Sequence, residues 1–108
     1  MMTPSLQCEE THLDQEIVKE VIALTPESWR SAMLVVTYSD EGGVQRYAHE
    51  ISNPQGRREP ITPSDELLDA THRLGQLFEK HGRRWRVVTY RIDIDGDGEG
   101  RYVAEFSY

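Results

Sequence analysis

The chain has 108 residues, 37% of them hydrophobic, which suits one domain with a single core. Its net charge is -7, from 19 acidic residues against 12 lysines and arginines, and this argues against nucleic acid or an anionic membrane as the main ligand. No apolar stretch approaches the roughly 20 residues that span a bilayer, and a single cysteine excludes an internal disulfide.

The N-terminal residues predict a short tail without targeting information. Residues 1–8 contain neither a basic segment nor an apolar run, so we expect a disordered tail and no signal peptide. The lone Cys8 fits a reducing compartment, and the cytoplasm is the expected location. Residues 9–108 are expected to form a single domain.

The first predicted element is an amphipathic helix over residues 9–24. Its apolar positions recur at helical spacing, and Asp14, Glu16, Lys19 and Glu20 are expected to face solvent. Pro26 ends the helix, because the residue before a proline is disfavoured in the α region. The apolar positions are Leu13, Ile17, Val18, Val21, Ile22 and Leu24.

A first hairpin is predicted over residues 32–51. Residues 32–38 are short and rich in β-formers, which is typical of a buried strand. Residues 39–43 end in Gly42 and Gly43 and provide turn chemistry. The strand over residues 44–51 is more polar and alternating, so we expect it near an edge of the sheet.

After a loop over residues 52–61, the sequence predicts a second helix that runs to about His81. We expect Thr62 as its N-cap, with Pro63 in the first helical position and Asp65 at the third. Gly82 suits the position after the C-cap, and Gly75 inside the helix indicates a close approach to the sheet. The apolar stripe comprises Leu67, Leu68, Thr71, Leu74, Leu77 and Phe78.

The C-terminal segment predicts a second hairpin with strands at residues 85–94 and 101–108. Both strands alternate apolar and polar residues around a glycine-rich turn at residues 95–100, which is a strong hairpin signal. Trp85 is expected to open the third strand on its outward face. The inward faces comprise Val88, Tyr90, Ile92 and Ile94, then Tyr102, Ala104, Phe106 and Tyr108.

The predicted fold class is therefore α+β, in the order α-β-β-α-β-β. We expect an antiparallel four-stranded sheet with two helices packed on one face, since each element must bury one side. Both halves share a helix-then-hairpin plan, but we identify no close repeat in the sequence. The strand order stays open, because the loop at residues 52–61 could reach either edge.

The acidic turn is the sharpest local motif in the chain. Asp93, Asp95 and Asp97 followed by Gly98 match the first half of a calcium loop. The second half fails, because Ala104 stands where a bidentate glutamate is required. One candidate function is thus a calcium-responsive or other small binding module that uses residues 93–99.

No pattern for catalysis or a metal centre emerges. His12, His49, His72 and His81 lack the partners of a metal site, and the serines lie in turns or termini without a glycine elbow. Residues 83–86 (Arg-Arg-Trp-Arg) with residues 57–58 could suggest single-stranded nucleic acid, but one tryptophan at a strand start is more often core. We expect no enzyme, no cofactor, no metal and no nucleic acid.

The chain resembles the YezG-like family of immunity proteins from about Leu13 to Tyr108. The features that carry the resemblance are the Pro-Glu-Ser-Trp turn at residues 26–29, Tyr47 in the second strand and a leucine-rich helix over residues 67–78. Trp85 opening a strand and the closing Phe-Ser-Tyr at residues 106–108 complete it.

The resemblance implies an antitoxin that binds a cognate polymorphic toxin domain, in the best-known cases a nuclease, and inhibits it by covering its surface. A basic nuclease would also attract the acidic turns of this chain. On charge grounds we expect the binding residues to be Asp93, Asp95, Asp97 and Glu99, with Asp40 and Glu41 second.

Overall fold

The computed structural model describes residues 6–26, 28–54, 61–94 and 100–108. The elements are α1 (Leu6–Leu24), β1 (Ser31–Glu41), β2 (Val44–Ser52), α2 (Asp65–Lys80), β3 (Val87–Ile94) and β4 (Gly100–Ser107). This order confirms the predicted α+β fold. Helix α1 starts earlier than expected, so residues 6–8 of the predicted tail are helical. Neither α1 nor α2, the helices of the described ranges, combines the length and the apolar character that a membrane span requires.

The four strands form one antiparallel sheet in the order β2-β1-β3-β4. The two hairpins meet along β1 and β3, where Leu34 stands opposite Tyr90 and Val36 opposite Val88. Strands β2 and β4 are therefore the edges, which confirms the edge position expected for residues 44–51. The structure thus gives the strand order, which the sequence had left open because the loop after β2 could reach either edge of the sheet.

The core lies between the helices and one face of the sheet. Every second residue of β1 and β3 points into it, as the period of two in a strand requires. Each large apolar side chain buried there contributes roughly 1.5–3 kcal/mol to folding. The fully buried large apolar residues are Ile17, Val21, Leu34, Val36, Leu67, Leu74, Trp85, Val88, Tyr90 and Ile92.

Helix α2 begins at a different cap from the one expected. Thr62 as N-cap is wrong: Ser64 has extended backbone angles, and its side chain accepts a hydrogen bond from the Leu67 N–H at 3.2 Å. The Ser64 hydroxyl reaches the third helical residue, as N-cap side chains do. The predicted C-terminal glycine is confirmed, since Gly82 has φ +71° and the Arg83 N–H donates to the Phe78 carbonyl at 2.8 Å.

Three side-chain placements differ from expectation. Asp14, expected to face solvent, is only 2% exposed, because α1 turns this face onto the sheet. Trp85, expected on the outward face of β3, precedes that strand and is completely buried. Tyr108, expected in the core, lies past the end of β4 and is 59% exposed.

The two halves of the chain repeat more closely than the sequence analysis recognised. Residues 35–38 and 87–90 are both Val-Val-Thr-Tyr, and these segments pair antiparallel at the centre of the sheet, with Val36 opposite Val88. Both edge strands contain Arg-Tyr-x-x-Glu-x-Ser, at residues 46–52 and 101–107. The buried positions of the helices also share one spacing: Leu13, Asp14, Ile17, Val18 and Val21 in α1, and Ala70, Thr71, Leu74, Gly75 and Phe78 in α2.

This repeat relates the halves by a pseudo-two-fold axis through the Val36–Val88 pair. The chain therefore consists of two α-β-β units joined along their first strands. The units differ in the length of the connection between the helix and the first strand and in the length of the hairpin turn, which is why the repeat does not appear at one constant offset.

Candidate protein-binding site

The β1–β2 hairpin extends beyond the rest of the sheet at one end. Strand β1 pairs with β3 only up to Thr37, and its last bond in that direction runs from the Tyr38 N–H to the Arg86 carbonyl at 2.7 Å. From Ser39 to Glu41 its only strand partner is β2. The turn is closed by Gly42 and Gly43 at φ +60° and +83°, as a two-residue hairpin turn requires. The tip therefore presents a narrow two-stranded ribbon.

Arg84 lies against the base of this ribbon and is held on several sides. Its Nη1 donates to the Gly75 carbonyl at 2.8 Å and to Glu79 Oε2 at 3.2 Å, and its Nη2 donates to the Tyr47 hydroxyl. The guanidinium also stacks on Tyr38, 3.6 Å from the ring centroid. With 18% of its side chain exposed, Arg84 is a fixed cation rather than a mobile surface arginine.

Tyr47 is the second fixed element, and it explains the glycine inside α2. A Cβ on Gly75 would lie 2.6 Å from the Tyr47 hydroxyl oxygen, so only glycine leaves room for the ring. This confirms the predicted close approach of helix and sheet. Burial raises the pKa of the Tyr47 hydroxyl, and the neighbouring Arg84 charge partly opposes that rise.

Further aromatic contacts hold the Tyr47 ring in place. Its centroid lies 5.3 Å from that of Tyr38, 5.4 Å from the His72 ring and 6.2 Å from Trp85, in tilted or edge-on arrangements. Such aromatic pairs add about 0.5–1.5 kcal/mol each beyond the area they bury. Trp85 is thus an internal support, which matches the core role preferred for it over a base-stacking platform.

An open cleft of about 490 Å³ lies at this end of the molecule. We call it the hairpin-end site; it is lined by Tyr38, Ser39, Asp40, Glu41, Arg84 and Arg86. Asp40 and Glu41 are exposed, and Tyr38 and Arg84 are partly buried. Among the described residues that line the cleft there is no histidine or cysteine. The lining residues supply charged groups of both signs and the aromatic surface of Tyr38.

The six residues predicted from charge do not form one patch. Asp40 and Glu41 lie in the hairpin-end site, whereas Asp93 faces Ser31 across β1 and β3. From Ser31 to Asp40 the strand covers roughly 30 Å, at about 3.3 Å per residue. Asp93 is therefore at the opposite end of the sheet. Asp95, Asp97 and Glu99 lie outside the described residues.

The histidine at position 49 of β2 takes part in a structural contact. His49 Nε2 is 2.7 Å from the Thr71 hydroxyl, and burial lowers the pKa of this histidine. Over the described residues, no three histidine, cysteine or acidic side chains come together as metal ligands. The calcium alternative depends on residues 95–99, which the structure does not describe.

Asp14 is the buried acid that the sequence analysis missed. It accepts a hydrogen bond from the Tyr90 hydroxyl, and burial, helped by the nearby Glu10 carboxyl, raises the pKa of Asp14 to about 8. Tyr90 itself is completely buried. The missed signal was periodicity, because Asp14 precedes Ile17, Val18 and Val21 by three, four and seven positions and therefore shares their helical face.

A second depression lies between the two helices, on the side away from the sheet. It is an open groove of about 600 Å³, lined by Glu9, His12, Leu13, Arg73, Gln76, Leu77 and Lys80. Arg73 crosses it to pair with Glu16 at 2.7 Å. This bridge ties α1 to α2 across the groove.

No family model matches the chain, and no curated protein matches it either.

Proposed function

We propose that the chain is an immunity protein that binds a cognate toxin domain, a basic nuclease, and neutralises it by protein–protein contact through the hairpin-end site. The observation that carries this proposal is the pairing of two exposed carboxylates, Asp40 and Glu41, with a fixed tyrosine–arginine cluster at the free end of a hairpin.

The cluster has the properties of an energetic anchor in a protein interface. Tyrosine and arginine are enriched among the residues that contribute most to binding. Side chains already held in one conformation lose little entropy when a partner docks, and this favours affinity. Tyr38 and Arg84 are held in this way by their mutual stacking and by the bonds of Arg84 to α2.

The rim of the site supplies the charge that would select a basic partner. Asp40 and Glu41 protrude past β3, so a partner can reach them without displacing other strands. Nucleases bind an anionic substrate through a cationic face, and acidic residues attract that face at long range. The net charge of -7 adds to this steering.

An inhibitor that acts by covering the surface of the toxin needs no catalytic group of its own. The hairpin-end site offers a protruding ribbon rather than an enclosed pocket, which suits insertion into the substrate groove of a partner. The resemblance to YezG-like immunity proteins supports the same conclusion from the sequence.

The proposal predicts a toxin gene beside the gene for this chain, and the test begins with the protein that this neighbouring gene encodes. Its C-terminal domain, carrying a substitution that abolishes its activity, is co-expressed with the chain and purified through a tag on the toxin. We expect a stable complex, and we expect the purified chain to abolish the activity of the intact toxin domain. If the chain and the toxin domain fail to associate at micromolar concentration and low salt, the proposal is wrong.

Neighbouring arginines provide a matched pair of variants for the site itself. Arg84→Met removes the fixed cation, whereas Arg83→Met removes an exposed one whose guanidinium lies 5.9 Å from the Tyr108 ring. We expect Arg84→Met to weaken toxin binding about 10–100-fold and Arg83→Met to change it less than about 3-fold. Equal effects of the two substitutions on toxin binding would indicate that the toxin contacts a different surface of the chain. Circular dichroism of both variants checks that the fold is retained.

A further inference from the structure

Strand β4 leaves an open edge that carries a self-complementary pattern. It is the last strand of the sheet, so half of its backbone amides and carbonyls point away from β3. Val103 on its outward face is 59% exposed. The strand contains neither proline nor lysine, the residues that commonly block an edge.

We infer that this edge pairs with the β4 edge of a second copy of the chain, antiparallel and centred on Val103, to give a continuous eight-stranded sheet. In this register Arg101 of one copy faces Glu105 of the other, twice, and the two Val103 side chains meet on the axis. Opposite charges directly across an antiparallel pair are stabilising, and like charges are destabilising.

The inward face of the strand fits the same register. Tyr102 meets Ala104 of the other copy, and Phe106 meets Gly100, so each large side chain faces a small one. A shift by two residues would place Val103 opposite Glu105 or Arg101 and would leave the charges unmatched. Both faces of β4 therefore select one register.

Charges already present in each copy reinforce the arrangement. Asp93 stands opposite Arg101 across β3 and β4, and Arg91 lies 3.8 Å from Glu105. In the paired sheet each Arg101 would lie between two acids, and each Glu105 next to two arginines. The β1–β2 hairpins would lie at the two far edges, so both hairpin-end sites would stay open.

The other edge strand provides an internal control, because β2 has the same Arg-Tyr-x-x-Glu-x-Ser pattern. Its central outward residue is Ala48, which offers less apolar surface at the axis than Val103. We therefore assign the pairing to β4 and use the equivalent positions of β2 to test that choice.

The experiment measures association of the full chain by sedimentation velocity between about 1 and 300 μM. We expect the wild type to reach the mass of a dimer, twice 12.5 kDa. Arg101→Glu or Glu105→Arg places like charges opposite each other and should weaken association at least about 10-fold. The two variants mixed in equal amounts should associate again, since the acidic strand of one then faces the basic strand of the other.

Four results would overturn the inference. The wild type could remain monomeric at 300 μM, or the mixed variants could fail to associate while each is folded by circular dichroism. Alternatively, Arg46→Glu and Glu50→Arg on β2 could abolish the dimer while the β4 variants leave it intact. Val103→Lys, a change at an exposed position, should also give a folded monomer, and a Val103→Lys dimer would contradict the proposed axis.

Discussion

Asp40 and Asp93 are both exposed aspartates on hairpin strands, yet the sheet gives them different surroundings. Asp93 stands opposite Arg101, so its carboxylate faces a residue of opposite charge within its own hairpin. Asp40 stands opposite Gln45, beyond the last residue of β1 that pairs with β3. Strand register, which composition does not reveal, therefore decides which acidic residues face an opposite charge within their own hairpin.

The supports of the two hairpins differ as well. The β1–β2 hairpin rests, through its Tyr47, on Trp85 and Arg84, whereas the β3–β4 hairpin is tied to α1 by the bond from Tyr90 to Asp14. One support is aromatic and cationic, and the other depends on a buried carboxyl group. The predictions that follow perturb one support at a time.

Removing Trp85 should have the largest effect. Trp85→Ala leaves a large cavity beneath the β1–β2 hairpin, and we expect a loss of about 3–5 kcal/mol in the free energy of unfolding, measured with urea. Val44→Ala, at an exposed position of β2, is the control and should change it by less than about 0.5 kcal/mol. A loss below about 1 kcal/mol for Trp85→Ala would contradict the assigned support.

The Asp14 support should respond to pH. In the unfolded chain Asp14 loses its proton near pH 4, whereas the folded protein holds the proton until about pH 8. The folded state thus binds more protons across this interval, so stability falls as pH rises from about 4 to 8 and then levels off.

Asp14→Asn isolates this contribution because it keeps a hydrogen-bond acceptor for Tyr90. We expect the wild type to lose roughly 2–4 kcal/mol relative to Asp14→Asn between pH 4 and pH 8. The measurement is urea unfolding at several pH values. Parallel stability curves for the two proteins would show that Asp14 titrates normally in the folded state.

A smaller effect tests the contact between α2 and β2. Gly75→Ala should destabilise the protein by about 1–2 kcal/mol, because the new Cβ strikes the Tyr47 hydroxyl and this outweighs the gain in helix propensity. In a Tyr47→Phe background, Gly75→Ala should lower the free energy of unfolding by less, because the hydroxyl oxygen that the new Cβ would strike is absent. Gln76→Ala, one residue on and exposed, is the control. Strict additivity of Gly75→Ala and Tyr47→Phe would argue against the contact.

Much of the fold was predictable because it depends on local patterns. Alternating residues predicted the strands, and the glycines at residues 42, 43 and 82 predicted a turn and a helix end. The N-cap at Ser64 was missed because Thr62 and Ser64 are both suitable capping residues two positions apart. Strand order depends on packing between the halves, which no single segment encodes.

The hairpin-end site was only half predictable. Charge identified Asp40 and Glu41 as binding candidates, but it ranked them below the turn that begins at Asp93. Tyr38 and Tyr47 stand opposite each other in the first hairpin, whereas Arg84 is distant in sequence and meets them only because the chain after α2 passes beside that hairpin. Local sequence patterns do not predict such a meeting.

The most direct test of the central claim neutralises the acidic residues of the hairpin-end site and, separately, two acidic residues elsewhere on the sheet. Asp40→Asn with Glu41→Gln removes two charges from the hairpin-end site, and Asp93→Asn with Glu50→Gln removes two exposed charges elsewhere on the sheet. Both double variants should keep their stability within about 0.5 kcal/mol. We expect the first to weaken toxin binding at least about 10-fold, measured by calorimetry in 50 mM salt, and the second to change it less than about 3-fold. Unchanged affinity for the first variant, or a larger loss for the second, would contradict the account.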